Sequence, residues 1–420
     1  MSWQRVVVVG GGAAGVFGAI ACATCHEHTQ VTLLEAGVEL LGKVRISGGG
    51  RCNVTHDYFD PATLVQNYPR GGKALRGPFT RFQPRDTVNW FASHGVQLKT
   101  EADGRMFPVT DDSQTIVDCL LQGAIRAGVN MRTGATVVSV SRRCLLGSAI
   151  SAPERHRKPD GFVVGLKSGE RLEADLVLLA TGSNRRGYQL AAANGHQIIP
   201  PVPSLFTFKI SDPRIEGLAG VSVENVRVQL PIAKLAQTGP LLITHWGLSG
   251  PAILKLSAWG ARVLHECGYQ TSLIVNWLPQ YQQEQLRNML LQVKSQLPKR
   301  AIASSCPVPI PRRLWQQLVY NVGISERDRW AGLSNKFLHE LVLELNQGTY
   351  QITGKGVFKE EFVTCGGVSL QEVNFQTMES RCCRGLYFAG EILDIDGVTG
   401  GFNFQSAWTT GWLAGQAMGM

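Results

Sequence analysis

Four consecutive valines carry the first structural signal in the chain. Residues 4–9, QRVVVV, show no polar alternation, which is the pattern of a parallel strand buried on both faces. GGGAAG (10–15) follows, and then small apolar residues run to Cys25, predicting a tight turn and a helix able to lie close to the sheet. QVTLLEAG (30–37) reads as a second strand, and EADLVLLATGS (173–183) repeats the order of apolar run and then glycine. A third such piece, GLYFAGEILDIDGVTGGFNFQSAWTTGWLAG (385–415), ends in a helix predicted over Gln405–Ala414.

Between these pieces the periodicity changes. FTFKI (206–210) and VRVQL (226–230) alternate and are punctuated by Pro, as in a small antiparallel barrel. YQQEQLRNMLLQVKSQL (281–297), PRRLWQQLVYNVG (311–323) and SNKFLHELVLELNQG (334–348) place apolar residues three and four apart, as helices do. The expected fold class is therefore α/β: a discontinuous Rossmann-type domain from 1–197 and 356–420, an inserted barrel-like domain over 198–280 with 348–355 as a candidate addition, and a helical subdomain over 281–347.

The spacing at the start points to a dinucleotide. Gly10 allows the tight turn, Gly12 lets a pyrophosphate approach the backbone, and Gly15 lets helix and strand pack closely, with Ala13 and Ala14 opening a helix whose N-terminus faces phosphate charge. Glu35 lies 20 residues beyond Gly15, the separation that puts an acid beside the ribose. The same helix contains Cys22-Ala23-Thr24-Cys25-His26, which fits the pattern that attaches c-type haem. Two thiols one turn apart at a helix end are expected simply to pack there, so haem is not expected.

A second cluster is LLGKVRISGGGRCNVTH (40–56). Three consecutive glycines before Arg51-Cys52-Asn53 let backbone N–H groups approach a flat ligand, and Arg51 and Asn53 add donors. Cys52, beside a cation and after free amides, reads either as an acid of lowered pKa or as a small buried hydrophobe. Farther on, Gly400, Gly401, Phe402 and Asn403 lead into the last predicted helix, aimed to stabilise negative charge on a reduced flavin, while Glu391 or Asp394 would hold ribityl hydroxyls. THWGLSGPAIL (244–254) puts His245 on a turn before a helix opened by Pro251, where it serves either domain packing or substrate contact. RMFPVTDD (105–112) reads as a cap for a helix from Ser113.

Composition narrows the setting. With 420 residues, 44% hydrophobic, the chain can bury a large core, and ten cysteines are too dilute for a disulfide scaffold. No run of 18 apolar residues appears, and Met1 to Arg5 leads straight into a strand, so a cytoplasmic protein with no membrane partner is expected. The formal charge of +9 permits an anionic partner such as RNA. Basic clusters stand at Arg142-Arg143, Arg155-His156-Arg157-Lys158, Arg185-Arg186, Lys299-Arg300 and Arg312-Arg313, each also compatible with a solvated loop.

Together GGGAAG, LGKVRISGGGRCNVTH, GRMFPVTDDSQTIVDCLL, LLITHWGLSGPAIL, VTCGGVSLQEVNFQTMESR and GLYFAGEILDIDGVTGGFNFQSAW resemble the BaiN/HI0933-like family of bacterial flavoproteins, in the family's order and over nearly the whole chain. The resemblance implies bound FAD, NAD(P)H as a transient reductant, no metal, and reduction of a conjugated C=C bond, either in a steroid-like small-molecule enone or in a uridine of large-subunit ribosomal RNA or its precursor. It assigns Gly10, Gly12, Gly15 and Glu35 to the adenosine half of the cofactor. Gly390, Glu391, Asp394, Gly401 and Asn403 go to the flavin side, with Ser47 to Asn53 (Ser47, Gly49, Gly50, Arg51, Cys52 and Asn53 among them) beside the ring; Lys43, Thr181, Gly182, Gly400 and Phe402 are further candidates for holding the cofactor. Cys52, Arg51, Asn53 and His245 are the candidate catalytic groups. An FAD oxidase and an RNA-binding assembly protein with a structural flavin are the remaining alternatives.

One departure stands out. Where the family carries a longer Gly/Pro/Ser-rich segment, Ser183-Asn184-Arg185-Arg186 passes directly to Gly187-Tyr188, a shortened and basic connection. SRRCLLGSAISAPERHRKPD (141–160) reads as a compensating basic insertion or a disordered loop.

Overall fold

A computed structural model describes residues 3–25, 28–143, 161–356 and 363–419. His26 and residues 144–160 of the basic insertion lie outside the described residues. The chain divides into two compact units, Met1–Pro201 with Val363–Met420, and Val202–Phe362.

The first unit is built on a seven-stranded sheet in the order Val373–Asn374, Glu379–Ser380, Leu386–Phe388, Leu176–Leu179, Gln4–Val9, Thr29–Leu34, Asn130–Arg132. The last five pair in parallel, with Val6 opposite both Leu176 and Val31, and the first two turn antiparallel at one edge. Val6 to Val9 are all buried, which is why that strand needs no polar face.

Two helices from opposite ends of the chain share one side of this sheet. In Ala13–Cys25 and Phe402–Ala417 the contact runs through glycine: a Cβ on Gly411 would lie 2.6 Å from the Ala14 carbonyl oxygen, and one on Gly415 would lie 2.5 Å from that of Gly18. Backbones this close leave no room for side chains. The second helix is longer than the Gln405–Ala414 its hydrophobic pattern predicts, because the left-handed Gly401 (φ +89°) starts it at Phe402. On this helix Trp408 is fully buried and its Nε1 donates to Val54 O at 3.0 Å.

Two small antiparallel sheets complete the unit. Thr55–His56, Arg105–Pro108 and Leu98–Thr100 form one; Val137–Arg142, Phe162–Leu166 and Arg171–Ala174 form the other. Asp112 caps the helix Ser113–Arg126, accepting from Gln114 N at 2.9 Å.

In the second unit, seven strands pair antiparallel in the order Gly348–Ile352, Thr271–Asn276, Ser222–Leu230, Leu235–Thr244, Gly247–Ser249, Phe208–Lys209, Gly354–Lys355. The helices Gln283–Gln296, Arg312–Asn321 and Asn335–Gln347 place Leu286, Trp315 and Leu341 in the same core as the sheet residues Val228, Leu273 and Tyr350. Sheet and helices thus share one hydrophobic core. Pro251 opens a helix over Pro251–Trp259. Among the described residues no helix is long and apolar enough to cross a membrane.

Candidate active site

At the C-terminal end of the first strand, Gly10 turns at φ +112° and a Cβ there would lie 2.4 Å from Ala180 O. A Cβ on Gly15 would lie 1.9 Å from Gly10 O, so that glycine is required by the helix's own approach to the turn. Gly12 is different: nothing stands within 4 Å of where its Cβ would be. Between them the backbone opens onto free space at a helix N-terminus, a setting that suits a pyrophosphate. Glu35 ends the second strand with Oε2 accepting from Gly11 N and Oε1 from Gly37 N, each at 2.7 Å. Those bonds fix the carboxylate where a ribose would meet it.

Ala14 packs so tightly on the third glycine-bearing segment that a Cβ on Gly390 (φ +74°) would lie 2.7 Å from its methyl group. Beside Gly390, Glu391 receives Lys43 Nζ at 2.5 Å and Thr364 N at 3.1 Å. Gly182 adjoins the same carboxylate, 3.6 Å from where its Cβ would be. Two hydroxyls, Thr181 Oγ1 and Tyr188 OH, are buried there with no hydrogen-bond partner among the described residues. Burial first, and then the charges of Glu391, Asp394 and Cys365, push the Tyr188 phenol upward.

The glycine loop that the sequence marks continues a helix, Gly42–Gly50, that loses its geometry at Ser47 (ψ 152°) and passes through Gly48, Gly49 and Gly50 at φ +59°, +69° and +83°. Ser47 Oγ donates to Val44 O at 2.9 Å. Gly49 and Gly50 also face open space, with nothing within 4 Å of a Cβ. Arg51 does not point at a free site: Nη1 donates to Glu101 Oε1 at 2.7 Å and reaches Asp111 Oδ1 at 3.4 Å, with the guanidinium 4.1 Å from the Phe107 ring centroid. It braces the loop against the small sheet.

Cys52 requires a correction. Its side chain is fully buried, and desolvation pushes the thiol up to about 12 despite a hydrogen bond with Ser47. The lowered pKa suggested by the neighbouring Arg51 does not arise, because that cation is committed to two carboxylates and the sulfur faces the interior.

Asn53 joins the two glycine-rich segments. In the amide orientation that satisfies both ends, its oxygen accepts from Gly401 N and its nitrogen donates to Thr55 O, both at 3.0 Å. A Cβ on Gly401 would lie 2.6 Å from Thr55 O, and Asn403 holds Gly397 at both N (2.8 Å) and O (2.9 Å). Phe402 stacks on His56 at 4.8 Å, with Tyr58 4.2 Å from His56 on its exposed side. Asp394 is tied through its N to Val368 O, and Asp396 below it pairs with Arg70. The sequence pattern assigns no role to Thr55, His56 or Tyr188, although the first two close the segment 40–56 that it marks. His245 belongs to the second unit, exposed on the turn between Leu235–Thr244 and Gly247–Ser249.

The open space at Gly12, Gly49 and Gly50 and the buried Thr181 and Tyr188 hydroxyls suit FAD; Gly10 to Glu35 would hold its adenosine half, and Ser47 to Asn53 with Gly390 to Asn403 its ring side. The class so defined is an FAD-dependent oxidoreductase with a Rossmann-type domain. The chain belongs to the HI0933-like protein Rossmann domain family, which it matches over residues 4–417. It is 30% identical to the 3-dehydro-bile acid delta(4,6)-reductase of Clostridium scindens, covering 99% of this chain and 98% of that one. It is 29% identical to the ribosomal RNA dihydrouridine synthase of Escherichia coli (98% and 96% covered) and 28% identical to that of Haemophilus influenzae (97% and 96%). In fold it is similar to a 3-ketosteroid delta1-dehydrogenase from Sterolibacterium denitrificans, with a TM-score of 0.52, 12% identity and full coverage of both chains.

Proposed function

We propose that this flavoenzyme uses NAD(P)H to reduce a uridine of large-subunit ribosomal RNA to dihydrouridine. The observation that carries the reading is the charge of +9 on a chain similar end to end to two ribosomal RNA dihydrouridine synthases. Phosphate contacts supply much of a protein's affinity for nucleic acid, and an excess of Lys and Arg is what they require. A folded RNA would present its uracil flipped out of the stack.

FAD held by these residues would supply the hydride, taken from the reduced nicotinamide, to the ring carbon β to the substrate carbonyl, and the proton that completes saturation of the bond at the α-carbon would come from water. The chain's part is placement and electrostatics. Gly49 and Gly50 let a planar ring approach the backbone, and Arg51, fixed by Glu101 and Asp111, keeps their loop in shape. Asn53 locks that loop to Gly401, and so to the N-terminus of a 16-residue helix whose dipole favours negative charge beside it. Cys52 packs beneath the loop as a neutral thiol and positions it.

A second reading rests on the bile-acid reductase similarity: the same chemistry on a small enone. Mass spectrometry of ribosomal RNA nucleosides from cells with and without the gene separates the two. Loss of dihydrouridine from the large subunit, restored by the wild type and not by Gly12→Asp, is the expected result; Gly12→Asp puts a carboxylate into the pyrophosphate space. An unchanged nucleoside profile overturns the RNA reading and leaves the enone reading, tested by NAD(P)H oxidation with 3-dehydro-bile acids.

A further inference from the structure

Away from the glycine-lined site, the first unit contains a cleft of about 900 Å³ between the strand Val137–Arg142 and the helix Arg185–Ala193. Its lining includes Arg142, Arg186, Ser139, Ser141, Gln189 and Asn194, and among the described residues no carboxylate. The floor is clamped: Asn194 Nδ2 donates to Val140 O on the strand at 3.1 Å and to Leu190 O on the helix at 2.8 Å. Asn184 caps the helix, accepting from Arg186 N at 2.8 Å, which sets Arg186 in the first turn. The two walls are therefore held at a fixed separation.

The cations of this cleft differ from others on the same unit. Arg5 and Arg143 are paired with Glu173, Arg132 with Glu170, Arg51 and Arg105 with Glu101. Among the described residues neither Arg142 nor Arg186 has a carboxylate partner, and both are exposed. Two guanidiniums left without internal counter-ions in a cleft that also offers hydroxyl and amide donors suit phosphate oxygens. They come from two of the five basic clusters of the sequence, one of them in the shortened connection after Gly182.

We infer that this cleft binds phosphate groups of the RNA backbone, with Arg142 and Arg186 as the cations that hold them. The inference rests on the RNA reading for its partner and adds a docking site that touches no residue of the glycine-lined cradle. A phosphate-bearing reductant presents the same chemistry, and the arms of the experiment separate the two.

The test measures binding of an unmodified large-subunit ribosomal RNA transcript to the FAD-loaded protein over a range of salt. Arg142→Gln with Arg186→Gln should lower affinity and reduce the slope of log affinity against log salt by about two. Arg142→Lys with Arg186→Lys, which keeps the charge, should retain most of the slope. A control pair, Lys299→Gln with Arg300→Gln, removes the same charge from the second unit. An equal fall in that pair would show an effect of net charge alone and overturn the assignment, as would an unchanged slope in the Arg142/Arg186 pair. A raised KM for NADPH but not NADH, with RNA binding intact, would move the site to the reductant and equally overturn it. Should the nucleoside profile fail while the transcript still binds through these arginines, the uridine reading falls and the docking site stands.

Discussion

Glycines 10 and 15 and glycines 49 and 50 look alike in the sequence, but the structure uses them in opposite ways. At Gly10 and Gly15 the missing Cβ is replaced by protein: the carbonyls of Ala180 and Gly10 occupy its place. At Gly49 and Gly50 no protein atom comes within 4 Å, and glycine is demanded by left-handed backbone beside an open cradle. The first pair holds the fold together and the second leaves space for a ligand. Gly12 has the open space of the second pair without its left-handed backbone.

Substitution with alanine turns this contrast into a graded series. Gly15→Ala should have the largest effect, about 3 kcal/mol or more of lost stability in urea denaturation, because the clash at 1.9 Å is with backbone that cannot rotate away. Equal stability in Gly15→Ala and Gly49→Ala would break the comparison. Gly49→Ala should cost only the left-handed conformation, about 1–2 kcal/mol, with a folded protein whose FAD content falls. Gly12→Ala should unfold within about 0.5 kcal/mol of the wild type in the absence of FAD, yet bind FAD at least about tenfold more weakly, read by fluorescence titration.

The smallest effect concerns pH and sharpens the contrast around the second turn alone. Burial lowers the His56 pKa below its ordinary 6.5, with Asp57 and Asp103 opposing. The unfolded chain then takes up the proton more readily than the folded one, so stability is complete above about 6.5 and declines as pH falls through the lowered value. The Tm should therefore be lower at about pH 5.5 than at about 7.5, and the difference should shrink in His56→Gln. A His56→Gln profile that superimposes on the wild type would remove His56 as the source.

What the sequence revealed of this site was local. Strand, glycines, small-residue helix and an acid at the right distance are all read within residues 4–35, since each is a property of neighbours in the chain. What it concealed was distant. The pairing of Arg51 with Glu101 and Asp111, 50 and 60 residues away, favours the buried-hydrophobe reading of Cys52 over the acidified one by committing the cation elsewhere. Asn53 and Gly401 are both conspicuous in the sequence, but only the fold shows that one accepts from the other. The inserted region taught the same lesson at larger scale, for alternating and helical segments that read as separate bodies bury their apolar faces in one core.

The pairing of the helices Ala13–Cys25 and Phe402–Ala417 has a temporal side. Gln416 Nε2 donates to Cys25 Sγ across 391 residues of chain, and the backbone contacts at Gly411 and Gly415 lie along the same interface. During synthesis the first βαβ element must wait, with one apolar helix face uncovered, until its partner leaves the ribosome. Closure of so long a loop is the slow kind of folding event, which makes the nascent chain a natural client for chaperones that shield apolar surface. A cofactor held by both glycine-rich segments could be gripped from both sides only once Phe402–Ala417 had been made.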